Sequence, residues 1–240
     1  MSAPNTAERG VDEGRGTEIA DKLNWLRAGV MGANDGIIST AAMVIGVAGA
    51  AVSNAALLAA GVAAVIAGAM SMAVGEFVSV SSQRDSQRAE LEHERTELAE
   101  DPASELEQLT QLIQAQGIDR SLAHQVALQL TERDPLTAHA RLELGIDPKA
   151  LTTPWHAALA SMLAFVLGGV IPLAAILSSP RASAVAVTAV AVIAALAITG
   201  TASAHLGNAP KLRAVFRVVG GGILAMAITY GIGSVIGARV

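Results

Sequence analysis

The sequence predicts an all-helical membrane protein with a soluble acidic domain inserted between its second and third membrane spans. Of its 240 residues, 52% are hydrophobic, 15% are charged and 2% are aromatic, and the mean hydropathy is +0.49. A soluble domain carries about 25% charged residues, so this chain lacks the charge to cover a water-facing surface. Cysteine is absent, which excludes disulfides, thiolate catalysis and Cys-ligated metal sites.

The charged residues are concentrated in one part of the chain. Residues 81–153 hold 14 acidic and 7 basic side chains, a net charge of −7. Residues 22–80 and 154–240 together hold two acids, Asp35 and Glu76. This distribution predicts one acidic, water-exposed insert between two membrane blocks.

Hydropathy and turn residues predict the elements in chain order. Residues 1–21 are polar and lack hydrophobic periodicity, so we expect a disordered cytoplasmic tail rather than a signal peptide. Crossing a hydrocarbon core of about 30 Å takes about 20 helical residues. Residues 22–80 are therefore expected to hold spans one and two, and residues 154–240 spans three to five. The five spans are predicted at 24–50, 55–80, 154–177, 183–204 and 215–236.

The acidic insert is predicted to be a small helical bundle. Residues 81–100 contain no helix breaker and follow the second span directly, so the two are expected to form one long helix. Aspartates and glycines mark the further helices: Asp101, Asp119 and Asp134 as N-caps, Gly117 and Gly145 as ends. An apolar stripe supplies the packing face: Leu106, Leu109, Leu112, Ile113, Leu122, Val126 and Leu130.

Basic residues that flank the spans predict the orientation. With a cytoplasmic N-terminus and a cytoplasmic insert, most of these bases lie inside, as the positive-inside rule requires. Trp25 and Trp155 open the first and third spans on that side, as interfacial anchors do. We therefore expect a multi-pass protein of the lipid bilayer, and the Ala- and Gly-rich composition favours a bacterial plasma membrane.

Two carboxylates and a thioether are placed to line a polar path through the spans. Asp35 lies about ten residues past Trp25, or about 15 Å along the helix. A carboxylate at that depth costs about 2.5–3.5 kcal/mol, which indicates an ion or proton path. Met72 reaches a similar depth from the second span, with Glu76 one turn nearer the cytoplasm. The alternative for Asp35 is a carboxylate paired structurally with a hydroxyl or backbone group, and the alternative for Met72 is a methionine that fills the core.

The insert contains a second group of candidate ligands. Three glutamates share one face of its first helix, two follow on the next helix, and a histidine and a glutamate lie four residues apart on the last. They are Glu90, Glu94 and Glu97, then Glu105 and Glu107, then His139 and Glu143. A like-charged face is destabilising unless a cation lies over it, so a divalent-metal cluster is expected. The alternative is a solvated acidic surface.

Other chemistries find little support in the sequence. Glu90-x-x-His93 resembles half of a ferritin-like di-iron motif, but the required second Glu-x-x-His is missing. There is no Walker loop, no dinucleotide-binding glycine motif and no basic aromatic patch. We expect no enzymatic reaction, no prosthetic group and no nucleic-acid partner.

Four segments resemble the vacuolar iron transporter family, which includes the nodulin-21-like proteins. They are LRAGVMGANDGIIST at 26–40, SMAVGEFVSVSSQRD at 71–85, HARLELGI at 139–146 and GGVIPL at 168–173. The resemblance implies a homodimer of five-span subunits, with an ion path between the two first spans and a cytoplasmic helical metal-binding domain. It also implies proton-coupled export of Fe²⁺, and in some members Mn²⁺ or other divalent ions, from the cytosol.

The resemblance also assigns residues by motif position. It implies that Asp35 and Met72 are membrane metal residues with Glu76 beside them, and that the cytoplasmic ligands include Glu94, Glu97, Glu105 and Glu143. Two positions depart from the plant pattern. Gln108 stands where a glutamate is expected, although Glu107 beside it could compensate, and His139 stands where a methionine is expected. Imidazole is a harder ligand than a thioether, so Zn²⁺ and Co²⁺ join Fe²⁺ and Mn²⁺ as candidate substrates.

The leading hypothesis is a dimeric divalent-metal/proton antiporter. The insert captures the ion, which then passes Glu76, Met72 and Asp35 and is released on the far side when a carboxylate is protonated. Two alternatives remain open: a membrane-tethered iron buffer or sensor that does not transport, and a ferritin-like iron oxidase.

Overall fold

The computed structural model describes residues 6–50 and 53–239, with side chains from residue 25 onward. Within those residues it contains eight α-helices and no strand, which confirms the predicted all-helical class. The helices are α1 Thr6–Gly49, α2 Asn54–Glu100, α3 Pro102–Gln114, α4 Arg120–Arg133, α5 Pro135–Leu142, α6 Pro154–Ser178, α7 Ala184–Leu206 and α8 Lys211–Gly237.

Among the described residues, five helices are long and apolar enough to cross a membrane, as predicted: α2, α6, α7, α8 and the Trp25–Gly49 part of α1. Helix α2 has 47 residues. At 1.5 Å per residue it is about 70 Å long, more than twice a hydrocarbon thickness of about 30 Å. Its continuity confirms that the second span and residues 81–100 form one helix.

The N-terminal prediction needs a correction. The sequence predicts a disordered tail over residues 1–21, but helical backbone begins at Thr6. No proline interrupts residues 6–24, so the helix of the first span can extend through them. Residues 1–5 lie outside the described residues.

The chain divides into two compact units. The described residues of 23–78 and 154–240 form one of them, called here the membrane unit because it holds the apolar parts of all five candidate spans. Residues 79–153, with the described residues before position 23, form the other, called here the acidic unit.

Close backbone contacts at glycine characterise the membrane unit. A Cβ atom on Gly36 of α1 would lie 2.1 Å from the carbonyl oxygen of Phe165 in α6, and one on Gly32 would lie 2.3 Å from that of Ser161. No side chain fits at such distances, so glycine is what lets the two helices approach. The contact fixes α1, and with it the rotation of Asp35, against α6.

Three glycines of α2 recur every seven residues, and two of them contact α6. A Cβ atom on Gly61 would meet the side chain of Leu173, and one on Gly68 would meet the ring of Phe165. Gly75, the third, has nothing within 4 Å. Two of the three glycines therefore accommodate bulky side chains of α6.

Aspartate N-caps begin three helices of the acidic unit, as predicted. Each cap accepts a backbone N–H of the first turn, which satisfies a donor that the helix itself leaves unpaired. Asp101 accepts from Ser104, Asp119 from Ser121 and Asp134 from Thr137. Helices α3 and α5 end three residues before the predicted glycines, Gly117 and Gly145, whose positive φ angles reverse the chain after the helices have ended.

The core of the acidic unit follows most of the predicted stripe, since Leu106, Val126 and Leu130 pack against its buried residues. Leu109 and Ile113 are buried against Ala123 and Ala127. Leu122, which the stripe includes, is instead 54% exposed. The small alanines let α4 approach α3 on the adjacent face, which turns Leu122 toward solvent.

Candidate metal centre

Three buried side chains of the acidic unit bring metal-ligand atoms together. Glu94 lies on α2, Glu105 on α3 and His139 on α5. One donor atom from each lies within 4.8 Å of the others, and among the described residues this is the one such group of three or more His, Asp or Glu side chains. Three helices separated in sequence therefore build a single site, called here the buried cluster.

The imidazole of His139 lies at the centre of this cluster. Its Nδ1 is 3.0 Å from Glu94 Oε1, 3.6 Å from Glu105 Oε2 and 3.4 Å from Oε2 of Glu143. The side chains of His139 and Glu94 are 1% and 3% exposed. One ring N–H donates to one oxygen at a time, so three carboxylates around one nitrogen cannot all be satisfied by it.

Two buried polar atoms of the cluster lack a hydrogen bond. The contact from Nδ1 to Glu143 Oε2 has hydrogen-bond geometry, whereas the shorter contact to Glu94 Oε1 does not. Within the described part of the chain, Glu94 Oε1 and His139 Nε2 have no hydrogen-bond partner. Burying an unpartnered carboxylate oxygen is costly, and a divalent cation is a group that removes the cost.

Burial and like charge act on both buried carboxylates. Burial raises the pKa of Glu94, His139 lowers it, and the neighbouring Glu143, Glu105 and Glu97 raise it further. Burial likewise raises the pKa of Glu105, again against the effect of His139. A proton or a metal ion would relieve the same repulsion, so protons would compete with any metal ion bound there.

Two predicted ligands lie at the edge of the cluster. Glu143 follows the last residue of α5, and its side chain is 28% exposed. Gln108 donates a hydrogen bond from Nε2 to Glu143 Oε1 at 2.7 Å. Gln108 therefore reaches the cluster through Glu143.

The other predicted ligands of the acidic unit have different surroundings. Glu97 is half-buried and lies 3.5 Å from Nε2 of the largely exposed His93. Glu107 accepts a hydrogen bond of 2.6 Å from Arg120. It is thus engaged in an ion pair and does not take the place of the glutamate expected at position 108. Glu90 is exposed.

The predicted membrane residues are half-buried in the membrane unit: Asp35 on α1, and Met72 and Glu76 on α2. Ser39 donates a hydrogen bond of 2.6 Å to Asp35 Oδ1 from one turn further along α1. Ser39 is absent from the predicted site, and its position four residues after Asp35 is the sequence signal that identifies it.

Asp35 belongs to a stripe on α1 with spacing of four residues. Met31 and Met43 on this stripe are 55% and 45% exposed, and Ser39 is exposed as well. The preceding residue is held elsewhere, because Asn34 Oδ1 accepts a hydrogen bond from Thr199 of α7 at 2.5 Å. The carboxylate is thus presented on an uncovered face of a membrane helix, where contact with lipid is costly.

Both candidate sites lie within one family match. A profile of the VIT family matches residues 26–234, which include Asp35 and the whole buried cluster. The chain belongs to the VIT family. The family membership expected from the sequence motifs is therefore confirmed.

Relatives in this family are similar over most of the chain. A vacuolar iron transporter of Acanthamoeba castellanii is 47% identical over 211 residues, which cover 87% of this chain and 77% of the relative. Vacuolar iron transporter homolog 5 of Oryza sativa subsp. japonica is 36% identical over 228 residues, covering 94% and 87%. Vacuolar iron transporter homolog 2 of Arabidopsis thaliana is 34% identical over 222 residues, covering 92% and 88%.

Proposed function

We propose that this VIT family member is a dimeric, proton-coupled exporter of Fe²⁺ or Mn²⁺ from the cytosol. Family membership and relatives named as iron transporters support transport of metal ions by an integral membrane protein. The observation that carries the proposal is the buried cluster of Glu94, Glu105 and His139, where a carboxylate oxygen lacks a hydrogen bond. Such a site is built to hold a cation.

In this proposal the acidic unit lies in the cytoplasm and captures the ion. Carboxylate oxygens with one imidazole suit Fe²⁺, Mn²⁺, Co²⁺ and Zn²⁺ better than Ca²⁺ or Mg²⁺. The net charge of −7 over residues 81–153 raises the local concentration of cations. Residues 22–80 and 154–240 supply the spans. The positive-inside rule supports an orientation with the N-terminus in the cytoplasm, and the Ala- and Gly-rich composition favours a bacterial plasma membrane.

The membrane step of the proposal uses Glu76, Met72 and Asp35 as successive ligands. Two carboxylates and a thioether bind a borderline-soft divalent ion, and none of the three side chains carries a positive charge that would repel it. Protonation of Asp35 from the far side removes the negative charge that holds the ion. Metal release and proton uptake are thereby coupled at one carboxylate.

A second copy of the chain would complete this path. The stripe of Met31, Asp35, Ser39 and Met43 is uncovered in one subunit, and a lone carboxylate there is costly in lipid. An apolar groove of about 510 Å³ between α1 and α8 continues from this stripe and includes Ser39 and Met43 in its lining. Two stripes facing each other would place two Asp35 carboxylates beside one ion.

The test is metal flux through the full chain in proteoliposomes that contain a pH-sensitive dye. We expect wild-type protein to move Fe²⁺ against a proton gradient, with Asp35→Ala abolishing both the metal flux and the pH change. Asp85→Ala removes an exposed carboxylate from the acidic unit and is the matched control. Unchanged flux in the Asp35 variant would sink the mechanism.

The alternatives predict different outcomes of the same preparation. If the protein is a tethered buffer or sensor, it binds metal at the buried cluster, but the wild-type protein carries no metal across the proteoliposome membrane. A ferritin-like oxidase consumes oxygen when Fe²⁺ is added. The structure gives the oxidase no support, because Glu90 is exposed and the His93 side chain is 70% exposed rather than part of the buried cluster. Transport without catalysis is accordingly the proposal.

A further inference from the structure

The contact between Gln108 and Glu143 fixes the orientation of the glutamine amide. A carboxylate only accepts hydrogen bonds, so the atom of Gln108 that lies 2.7 Å from Glu143 Oε1 must be the NH₂ group. The amide nitrogen, whose lone pair is delocalised and does not bind metals, is therefore the group that Gln108 directs at Glu143. Gln108 acts on the cluster through the carboxylate that it holds.

Glu143 is the member of the cluster that most needs such support. Its side chain is 28% exposed, compared with 3% for Glu94 and 11% for Glu105. It also directly follows an eight-residue helix, where its own backbone N–H donates to the carbonyl of His139. A glutamate side chain at such a position loses rotamer freedom when it is ordered.

The hydrogen bond divides the two oxygens of Glu143 between two tasks. Oε1 accepts from Gln108, and Oε2 is left 3.4 Å from His139 Nδ1, facing the buried ligands. Gln108 and Glu105 lie three residues apart on α3, while His139 and Glu143 lie four apart at the end of α5, so each helix presents both members on one face. The bond thus ties α3 to the end of α5 across the cluster.

The neutral amide also limits the charge of the site. Glu94, Glu105 and Glu143 already bring three carboxylates to one imidazole. A fourth carboxylate at position 108 would repel Glu143 in the empty site and could not donate to it. An amide is the group of that length that attracts the carboxylate without adding charge.

We infer that Gln108 is a positioning residue that holds Glu143 over the buried cluster as its outermost, exchangeable ligand. The inference rests on the proposed function, because it concerns the site that captures the ion. Glu94, Glu105 and His139 form the buried floor, and Glu143 closes and opens the exposed side. Gln108 sets how long the closed position lasts, and so how tightly the ion is held before it is passed on.

The experiment is Mn²⁺ binding to the purified full-length protein in detergent, with free Mn²⁺ quantified by its electron paramagnetic resonance signal. We expect Gln108→Ala and Gln108→Leu to weaken binding about 10-fold, the range seen when a residue that orients a ligand is removed. Leucine keeps the volume and helix propensity of glutamine and lacks the donor. Gln114→Ala changes an exposed glutamine at the end of the same helix and should bind as wild type does.

A double variant separates positioning from general damage to the fold. Because Gln108 acts through Glu143, Gln108→Ala should have no further effect in a Glu143→Ala background. Additive losses, or Gln108 variants that bind Mn²⁺ as wild type does, would overturn the inference while leaving the proposed capture role intact. Wild-type protein that binds no Mn²⁺ would overturn the capture role and this inference together.

Discussion

The membrane unit and the acidic unit bury opposite kinds of groups. In the membrane unit, Gly32 and Gly36 bring the α1 backbone against that of α6. In the acidic unit, two carboxylates are buried around His139 with one oxygen unsatisfied. Packing in the first unit is limited by side-chain volume, whereas under the proposed function the second unit is completed by the charge of a bound cation.

The largest expected effect comes from adding volume to the membrane unit. Gly36→Ala places a methyl group 2.1 Å from the Phe165 carbonyl oxygen, and overpacking of this kind costs about 3 kcal/mol at the upper end of its usual range. The measurement is denaturant unfolding in mixed micelles, followed by circular dichroism. The control is Gly29→Ala on the same helix, where nothing lies within 4 Å.

The two glycine variants should differ in their effect on the free energy of unfolding. Alanine is a better helix former than glycine by about 1 kcal/mol, so Gly29→Ala is expected to be neutral or stabilising. If Gly36→Ala were equally harmless, α1 and α6 would not be in the close contact described for them. The contrast therefore tests the packing and not helix propensity.

Much of this architecture is accessible from sequence because it depends on local signals. The caps at Asp101, Asp119 and Asp134 and the unbroken α2 helix follow from residues within one turn of each boundary. The contact of Gly36 with Phe165 does not, because spacing along α1 leaves open which helix faces it. A glycine at position 36 permits a close approach, but which helix approaches depends on the tertiary packing.

The candidate site is predictable to a similar degree. Helical spacing groups Glu90 with Glu94 on one face, yet Glu94 is buried while Glu90 is exposed. Which of the two turns inward depends on where α3 and α5 pack, a tertiary effect that periodicity does not contain. The link from Gln108 to Glu143 spans 35 residues and has the same origin. Family motifs identify most of these positions, and the structure supplies their partners.

The next expected effect is the stabilisation of the acidic unit by added Mn²⁺. Mn²⁺ at 100 times its dissociation constant should stabilise the protein by about 2.7 kcal/mol, because it binds the folded site alone. His139→Ala removes the central ligand and should abolish the stabilisation. His124→Ala changes an exposed histidine on α4 and should retain it.

The two tryptophans show which unit responds. Trp25 and Trp155 both lie in the membrane unit, so their fluorescence follows the unfolding of that unit. We expect Mn²⁺ to shift the circular dichroism transition more than the fluorescence transition. Equal shifts would contradict the view that the cation is needed by one unit and not by the other.

The smallest expected effect concerns the N-cap that begins α5, the helix carrying His139. Asp134 accepts hydrogen bonds from the backbone N–H and the hydroxyl of Thr137. Asp134→Ala should cost about 1 kcal/mol, the usual value of an N-cap, in the unfolding free energy measured at neutral pH. Asp134→Asn keeps an acceptor oxygen and should cost less.

The pH dependence of this cap gives the sharpest test of its origin. The side-chain hydrogen bond from Thr137, then its backbone N–H, lower the pKa of Asp134 below the usual value. A carboxyl group whose pKa is lower in the folded state stabilises the fold above its unfolded pKa of about 3.9 and loses that contribution as pH falls through the folded value. The difference between wild type and Asp134→Asn should therefore be constant near neutrality and shrink only in acid. Metal binding to the buried cluster should also weaken as the pH falls, since protons displace the ion. Because burial raises the pKa of Glu94 and Glu105, this loss should begin at a higher pH than the loss of the Asp134 cap. Unfolding curves collected with and without Mn²⁺ from neutral to acid pH should show the metal-dependent part of the stability disappearing before the part supplied by the cap.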